Sequence, residues 1–372
     1  MSISNLPKLG FGLMRLPAAG DAFDMPQLCE MVDAYMEHGS NYFDTAYVYH
    51  GGKSEIAAKE ALVNRYPRDS FYLADKLPIW EIKSKDDRDR IFNIQLERAG
   101  VEYFDFYLLH SIEDTSYGRY IKYDCFEWGK QKKLEGKIKH FGFSFHGSPE
   151  MLDKILTHHP ELEFVQIQLN YADWNSPVIQ SGAQYEVARK HNAVVIAMEP
   201  VKGGMLANTT PEIAKLMTDV HPGRSVASWA IRFTASLEGV AVVLSGMSNM
   251  EQMLDNINTI ENFEPITDLE RGIMDKVTAA MATSPVIPCT DCRYCVDGCP
   301  VNIPINGVFK AVNELRLYGE HDRPYFFYRN MSGGRAKDCT GCKKCESVCP
   351  QHLEIIRHLK EASAKLDSRI ET

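Results

Sequence analysis

The chain has 372 residues, 44% hydrophobic and 24% charged. That is apolar material for a large core and length for about two domains. A formal net charge of −9 with no basic run excludes a nucleic-acid binder, and no stretch is long and apolar enough for a membrane span.

Met1–Leu9 carries no apolar signal core. From residue 9 to about 262, strand-like and helix-like segments alternate. The predicted strands are Leu9–Met14, Tyr42–Ala46, Phe71–Lys76, Phe104–His110, Lys139–Ser144, Phe164–Tyr171, Ala193–Met198 and Val240–Ser245. Several are unbroken apolar runs, such as Val240–Leu244, as strands covered on both faces are. Leu28, Met31, Val32 and Tyr35 repeat at helical spacing before Gly39, and Val226, Trp229, Ala230 and Phe233 do the same. Ser84 with Asp87 resembles a capping box for a helix ending near Gly100. Eight strands alternating with helices over some 250 residues predict a (β/α)8 TIM barrel. The rival, a doubly wound sheet, needs a Gly-rich phosphate loop after its first strand, and Gly10-Phe11-Gly12 is too short a match.

The expected domains are a barrel over 1–262, a tail helix and connector over 263–287, and a small, mainly helical domain over 288–372. In the last, Val308–Tyr318 and the segment from Ile355 read as helices. Cys289, Cys292, Cys295 and Cys299 precede Pro300; Cys339, Cys342, Cys345 and Cys349 precede Pro350. Both runs have the C-x2-C-x2-C-x3-C-P spacing of bacterial [4Fe–4S] ferredoxins. Three-residue steps let a turn place three thiolates around one cluster, and the fourth cysteine reaches the other cluster. The expected ligand sets are therefore Cys289, Cys292, Cys295 and Cys349, and Cys339, Cys342, Cys345 and Cys299. The alternative is structural zinc or disulfides; zinc sites usually pair cysteines across a dozen or more residues. Oxygen-sensitive clusters, with Cys29 and Cys125 left unpaired, fit a reducing cytoplasm.

A (β/α)8 barrel places its chemistry at the C-terminal strand ends. There the chain has Asp44-Thr45-Ala46-Tyr47-Val48-Tyr49, then Asp75-Lys76, then Leu108-Leu109-His110. In these residues, and in Tyr49-His50-Gly51-Gly52-Lys53-Ser54-Glu55, the segment from about 8 to 262 resembles the aldo-keto reductase superfamily. With the cysteine runs, the whole chain resembles bacterial and archaeal members of that family with C-terminal ferredoxin domains. The resemblance implies an oxidoreductase interconverting a small-molecule carbonyl and alcohol, with Asp44, Tyr49, Lys76 and His110 as a catalytic tetrad. Reduction needs hydride at carbon and a proton at oxygen. Tyr49 would give the proton, its acidity increased by the Lys76 ammonium, which Asp44 keeps charged; His110 would position the carbonyl oxygen.

The resemblance also implies NAD(P)H. Ser144 and Gln168 match positions that contact the nicotinamide amide, whereas Phe145 stands where many members have Asn and Met198 where many have Tyr. After the eighth strand, Gly246, Ser248, Gln252 and Asn256 would line a cofactor-phosphate site at a helix N-terminus. Ser248 with Glu251 equally spells a capping box. Many NADPH-using members carry Lys and Arg where this chain has Gly246 and Gln252.

A second reading has a ferredoxin or other electron carrier feeding the clusters, with a flavin (FMN or FAD) in the barrel to couple one- and two-electron chemistry. Lys202-Gly203-Gly204 is then a place for backbone to approach a phosphate. A third reading, a non-catalytic redox-sensing barrel, conflicts with the tetrad. Trp80, Trp174 and His146 follow strand ends and are candidate pocket residues; Trp128 and Trp229 lie on helices and are expected in the core.

Overall fold

Eight parallel strands close into a barrel: β1 (Leu9–Gly12), β2 (Tyr42–Asp44), β3 (Tyr72–Pro78), β4 (Phe104–Ile112), β5 (Ile138–Phe145), β6 (Phe164–Gln168), β7 (Val194–Met198) and β8 (Val240–Ser245). β1 pairs with both β2 and β8 and so closes the ring. Each strand is followed by an outer helix: α1 (Met25–Glu37), α2 (Lys53–Ala58), α3 (Asp86–Ala99), α4 (Cys125–Leu134), α5 (Pro149–His158), α6 (Ser181–Lys190), α7 (Val226–Ala235) and α8 (Met250–Glu261). The structure, a computed structural model, describes Ile3 and residues 6–20, 22–318 and 322–370. Residues 1 and 372, the outer bounds of the expected domains, and most of Met1–Asn5 lie outside the described residues.

The helix patterns translate directly into packing. Leu28, Met31, Val32 and Tyr35 are the buried stripe of α1, and Gly39 behind it has φ +76°. Before α3, the Asp87 carboxylate accepts hydrogen bonds from the Lys83 and Ser84 amides, and Gly100 ends the helix at φ +69°. β3 runs two residues past Lys76, with Pro78 beside His110 of β4. β6 stops at Gln168, short of Tyr171. There Asn170 turns the chain: its Oδ1 accepts from the Asp173 amide at 2.9 Å and its Nδ2 donates to the Asp173 carboxylate at 2.8 Å.

Side chains alternate along a strand with period two, and that alternation decides which residues enter the barrel. Tyr42, Tyr72, Ala74, Phe106, Leu108, Phe164, Ile196, Val242 and Leu244 form one buried cluster. Gly10 makes room for it: a Cβ there would lie 2.6 Å from both Leu244 and Val242. Continuing those inward rows by two residues gives Asp44 on β2, Lys76 on β3, His110 on β4 and Gln166 then Gln168 on β6. The residues between point outward, and Asp75 and Tyr107 meet Gln95 of α3.

The chain divides into two compact units, Met1–Lys202 with Leu206–Asp275, and Gly203–Met205 with Lys276–Thr372. The first runs past residue 262 into α9 (Asp268–Ala282) because buried Arg232 of α7 pairs with Glu270 at 2.5 Å. In the second, α10 (Ile305–Tyr318), α11 (Asp322–Arg329) and α12 (Ile355–Ala362) surround a core that includes Ile287, Val308, Phe309, Val312, Leu315, Ile355 and Leu359. The cysteine runs form the loops before α10 and α12. Among the described residues, no helix is long and apolar enough to cross a membrane.

Candidate active site and metal centres

Lys76 lies at the centre of the barrel site. Its ammonium is buried and donates to the Asp44 carboxylate at 2.5 Å, the Thr45 carbonyl at 2.7 Å and the Tyr49 hydroxyl at 3.2 Å. Burial raises the Asp44 carboxyl, and the Lys76 ammonium works against that rise. Gln166 adds a longer contact to the other Asp44 oxygen at 3.4 Å.

Tyr49 reaches Lys76 because the chain after β2 makes a tight turn. His50, Gly51 and Gly52 all have positive φ, at +53°, +65° and +86°. A Cβ on Gly52 would fall 2.4 Å from the Arg98 guanidinium, which crosses there to Glu55. The turn is pinned by the His50 ring on the Met14 carbonyl at 2.8 Å and by Ser54 donating to the Leu13 carbonyl at 3.0 Å. The run from Tyr49 to Glu55 is thus a positioning device for one phenol.

His110 lies 6.0 Å from the Tyr49 ring and 5.1 Å from the Trp80 ring, centroid to centroid. Burial, with the nearby charges of Lys76 and His146, holds its pKa well below the usual histidine value. It is therefore neutral at pH 7, with a single ring N–H. The Tyr120 hydroxyl donates to its backbone carbonyl. The structure thus brings Asp44, Tyr49, Lys76 and His110 together, with Trp80, 36% exposed, at the rim. Trp174 packs instead on Tyr185 and Phe233, and Trp128 and Trp229 are core residues.

The six expected cofactor residues all fall at or beyond strand ends. Ser144 on β5 accepts from the Ser111 amide at 2.7 Å. Gln168 on β6 gives its amide nitrogen to Asp173 at 2.8 Å, and buried Lys202 pairs with the same carboxylate at 2.5 Å. After β8, the N-cap of α8 is Asn249, which accepts from the Gln252 amide at 2.9 Å; Ser248 instead donates to the Arg15 carbonyl at 3.0 Å. The Ser248–Glu251 capping box is thereby corrected: Ser248 precedes the cap by one residue. Gln252 closes the turn onto the Ser248 amide at 2.8 Å, and Asn256 donates to Ser245 at 2.9 Å. Gly246 leaves space for the Arg15 stem, 3.1 Å from where a Cβ would stand.

Gln166, Asp173 and Arg15 were missed by sequence reading. Gln166 had a signal, two residues before Gln168 on one strand; Arg15 and Asp173 had none. The glycine run after β7 has another explanation than phosphate binding. Lys202 is used by Asp173, and within the second unit a Cβ on Gly203 would lie 2.5 Å from the Thr290 carbonyl oxygen. Cys125 is buried, with its thiol pushed up to about 12 by burial, and Cys29 is half-buried on α1.

In the second unit the eight remaining cysteines gather in two fours. Cys289, Cys292, Cys295 and Cys349 line one small pocket, together with Phe309, Leu353 and Ile355. Cys299, Cys339, Cys342 and Cys345 line another, with Val301, Ile303 and Ile356. Each fourth cysteine has crossed to the other run. Burial pushes the Cys289 and Cys345 thiols up to about 11 and raises Cys295 further. Thiolates in such apolar cavities need cations to offset the cost of their charge. Among the described residues no three Cys, His, Asp or Glu converge on a single-ion site. A cuboidal iron–sulfur group, which holds its thiolates farther apart than one ion does, fits both cavities. The Ile303 amide adds a hydrogen bond to the Cys299 sulfur at 3.4 Å.

Comparison with known proteins is consistent with both sites. The Aldo/keto reductase family model matches residues 8–279, and a 4Fe-4S dicluster domain model matches residues 288–354. An aldo-keto reductase of Mycolicibacterium smegmatis is 27% identical over 280 residues, covering 72% of this chain and 89% of that protein. One from Mycolicibacterium vanbaalenii is 26% identical over 269 residues, covering 71% and 86%. Among solved structures, an aldo-keto reductase from Klebsiella pneumoniae in complex with NADPH superposes with TM-score 0.59 at 20% identity, covering 73% of this chain and 91% of that one. The holo form of one from Bacillus halodurans gives TM-score 0.59 at 24% identity, covering 73% and 92%.

Proposed function

The chain belongs to the aldo/keto reductase family and carries a C-terminal 4Fe-4S dicluster domain, and from that premise we propose a nicotinamide-dependent carbonyl reductase with Tyr49 as its proton donor. One observation carries the proposal: the Lys76 ammonium bridges Asp44 and Tyr49, at 2.5 Å and 3.2 Å, in the buried site that also holds His110. NADPH is the cofactor bound by the Klebsiella relative. A bound reduced nicotinamide supplies hydride to the carbonyl carbon.

The protein's own residues handle the proton. Neutral His110 donates its ring N–H to the carbonyl oxygen and fixes its position. As charge builds on that oxygen, Tyr49 gives up its hydroxyl proton. The Lys76 ammonium, already hydrogen-bonded to the phenolic oxygen, stabilises the phenolate left behind. Asp44 and the Thr45 carbonyl keep that ammonium aimed at the phenolic oxygen. Ser144 and Gln168 would hold the nicotinamide amide, Gln168 oriented by Asp173 and Lys202. Gly246, Ser248, Gln252 and Asn256, with Arg15 beside them, would line the site for its phosphates. Met198 at the end of β7 would stand where many members stack a tyrosine on the ring.

The second unit would hold two [4Fe–4S] groups, one on Cys289, Cys292, Cys295 and Cys349 and the other on Cys299, Cys339, Cys342 and Cys345. They give the chain one-electron capacity beside the barrel's two-electron chemistry.

The test is anaerobic turnover of a panel of aldehydes and ketones with NADPH, by the wild type and by Tyr49→Phe. The wild type should oxidise NADPH and form alcohol in equal amounts. The variant should lose roughly 10²–10⁴ in kcat while still quenching NADPH fluorescence on binding. Wild-type turnover by the variant rejects the proposal. Extraction of the purified protein should release nicotinamide and no flavin.

A further inference from the structure

The two cysteine loops are copies of each other, Cys289-Thr290-Asp291-Cys292-Arg293-Tyr294-Cys295 and Cys339-Thr340-Gly341-Cys342-Lys343-Lys344-Cys345. The backbone repeats too: Asp291 and Gly341 have φ +58° and +68°, and Arg293 and Lys343 have +68° and +64°. Exposure and charge do not repeat. In the first loop Thr290 is 1% exposed, Asp291, Cys292 and Tyr294 are half-buried, and Asp291 is bonded to Asn306 and Lys310 at 2.5 and 2.6 Å. In the second, all five residues from Thr340 to Lys344 are exposed, including the sulfur-bearing Cys342.

The second loop is also basic. It holds two lysines and no acid, against one Asp and one Arg in its counterpart. Among the described residues, neither the Lys343 nor the Lys344 ammonium forms an ion pair, and their carbonyls are tied to Ser347 at 3.1 and 2.9 Å. Between the flanking Asp338 and Glu346, the exposed loop itself is positive on a chain of net charge −9, a local inversion of sign. Such an inversion steers an oppositely charged partner to one spot rather than to the whole surface. Electron-transfer encounters bury small interfaces, so one exposed loop is surface of the right scale.

We propose that Thr340–Lys344 is the docking surface for a small acidic one-electron carrier protein, and that electrons enter or leave the second unit through the Cys299, Cys339, Cys342 and Cys345 site. In the inward direction, one electron leaves the reduced carrier, which is oxidised by one unit, and reduces that iron–sulfur site by one unit. No bond is made or broken and no proton moves. This rests on the ligand assignment proposed above.

The experiment uses the anaerobic full-length holoprotein and, as probe, a small acidic bacterial ferredoxin. The variant is Lys343→Asn with Lys344→Glu, Asn because it tolerates the left-handed backbone at 343. Binding of the oxidised ferredoxin, measured calorimetrically, should weaken at least about tenfold, and wild-type binding should weaken steadily with salt from about 50 to about 300 mM. The rate at which reduced ferredoxin bleaches the visible band should fall in parallel, while bleaching by reduced methyl viologen, a small cation, should not fall. Iron content reports separately on the ligand assignment. Should the double variant fail to load iron, the wild-type salt dependence decides. Salt-independent binding, unchanged binding in a loaded variant, or a larger loss from Arg293→Glu in the first loop overturns the proposal.

Discussion

Asp75 and Glu55 bring two carboxyl groups together behind Lys76, each with one buried oxygen that meets no donor among the described residues. The other Asp75 oxygen accepts from the Lys76 amide at 2.7 Å and from Gln95 at 2.6 Å; the other Glu55 oxygen accepts from Arg98 at 3.0 Å. Two facing carboxylates in the interior would repel, so we predict that the pair shares one proton. Burial and the Glu55 charge raise Asp75 well above the carboxylate range, and burial raises Glu55.

The folded protein would then hold a proton that the unfolded chain releases near pH 4. Stability from this pair is complete below that pH and is lost as pH rises through the folded value. Asp75→Asn, whose amide still donates to Glu55, should flatten that decline and remove a protonated-carboxyl band from the infrared spectrum. A decline and a band both unchanged in the variant would contradict the shared proton.

Asp44 and Lys76 form a buried ion pair whose loss on one side leaves an uncompensated charge. Asp44→Ala should cost roughly 3–5 kcal/mol in urea unfolding of the full chain, because the ammonium keeps only the Thr45 carbonyl and the Tyr49 hydroxyl. Lys76→Met with Asp44→Leu removes both charges and should cost less than Asp44→Ala. Activity should be lost in both.

Because His110 is held neutral, its titration lies well below the working range. The rate profile kcat/KM against pH should show no inflection near 6.5 that disappears in His110→Gln. An inflection there, removed by that substitution, would show a histidine charging during turnover.

Arg15 lies against the turn that follows β8, its stem against Gly246 and its carbonyl held by Ser248. Arg15→Ala should weaken NADPH binding about tenfold, the worth of one charged hydrogen bond, and NADH binding less. Equal losses for the two cofactors would assign Arg15 to packing alone.

The crossed grouping of cysteines makes a prediction about pairs. Cys299→Ser with Cys342→Ser strikes one site and should leave about four of the ~eight irons expected for two [4Fe–4S] groups. Cys299→Ser with Cys292→Ser strikes both and should leave almost none. Iron counting on anaerobically purified protein separates the two outcomes, which would reverse if each run served its own cluster.

Local sequence determined much of this protein. Strand count and the eight cysteine positions were legible because they depend on short spacings: period two along strands, three-residue steps around a cluster, apolar stripes on helices; Asp44, Tyr49, Lys76 and His110 were legible through the resemblance to the aldo-keto reductase superfamily. Gln166 was legible in principle by the same alternation. What only the tertiary structure decided are meetings between distant segments. Asp173 and Lys202 are 29 residues apart when they orient Gln168, Glu55 of α2 reaches Asp75 of β3, and Arg15 lies over Gly246 from the opposite end of the barrel sequence. No spacing encodes those pairs; for the last of them, closing the barrel brings β1 against β8 and places their loops side by side. The exposure of Lys343 and Lys344, in a loop whose sequence nearly repeats a covered one, depends likewise on what the fold packs against each copy.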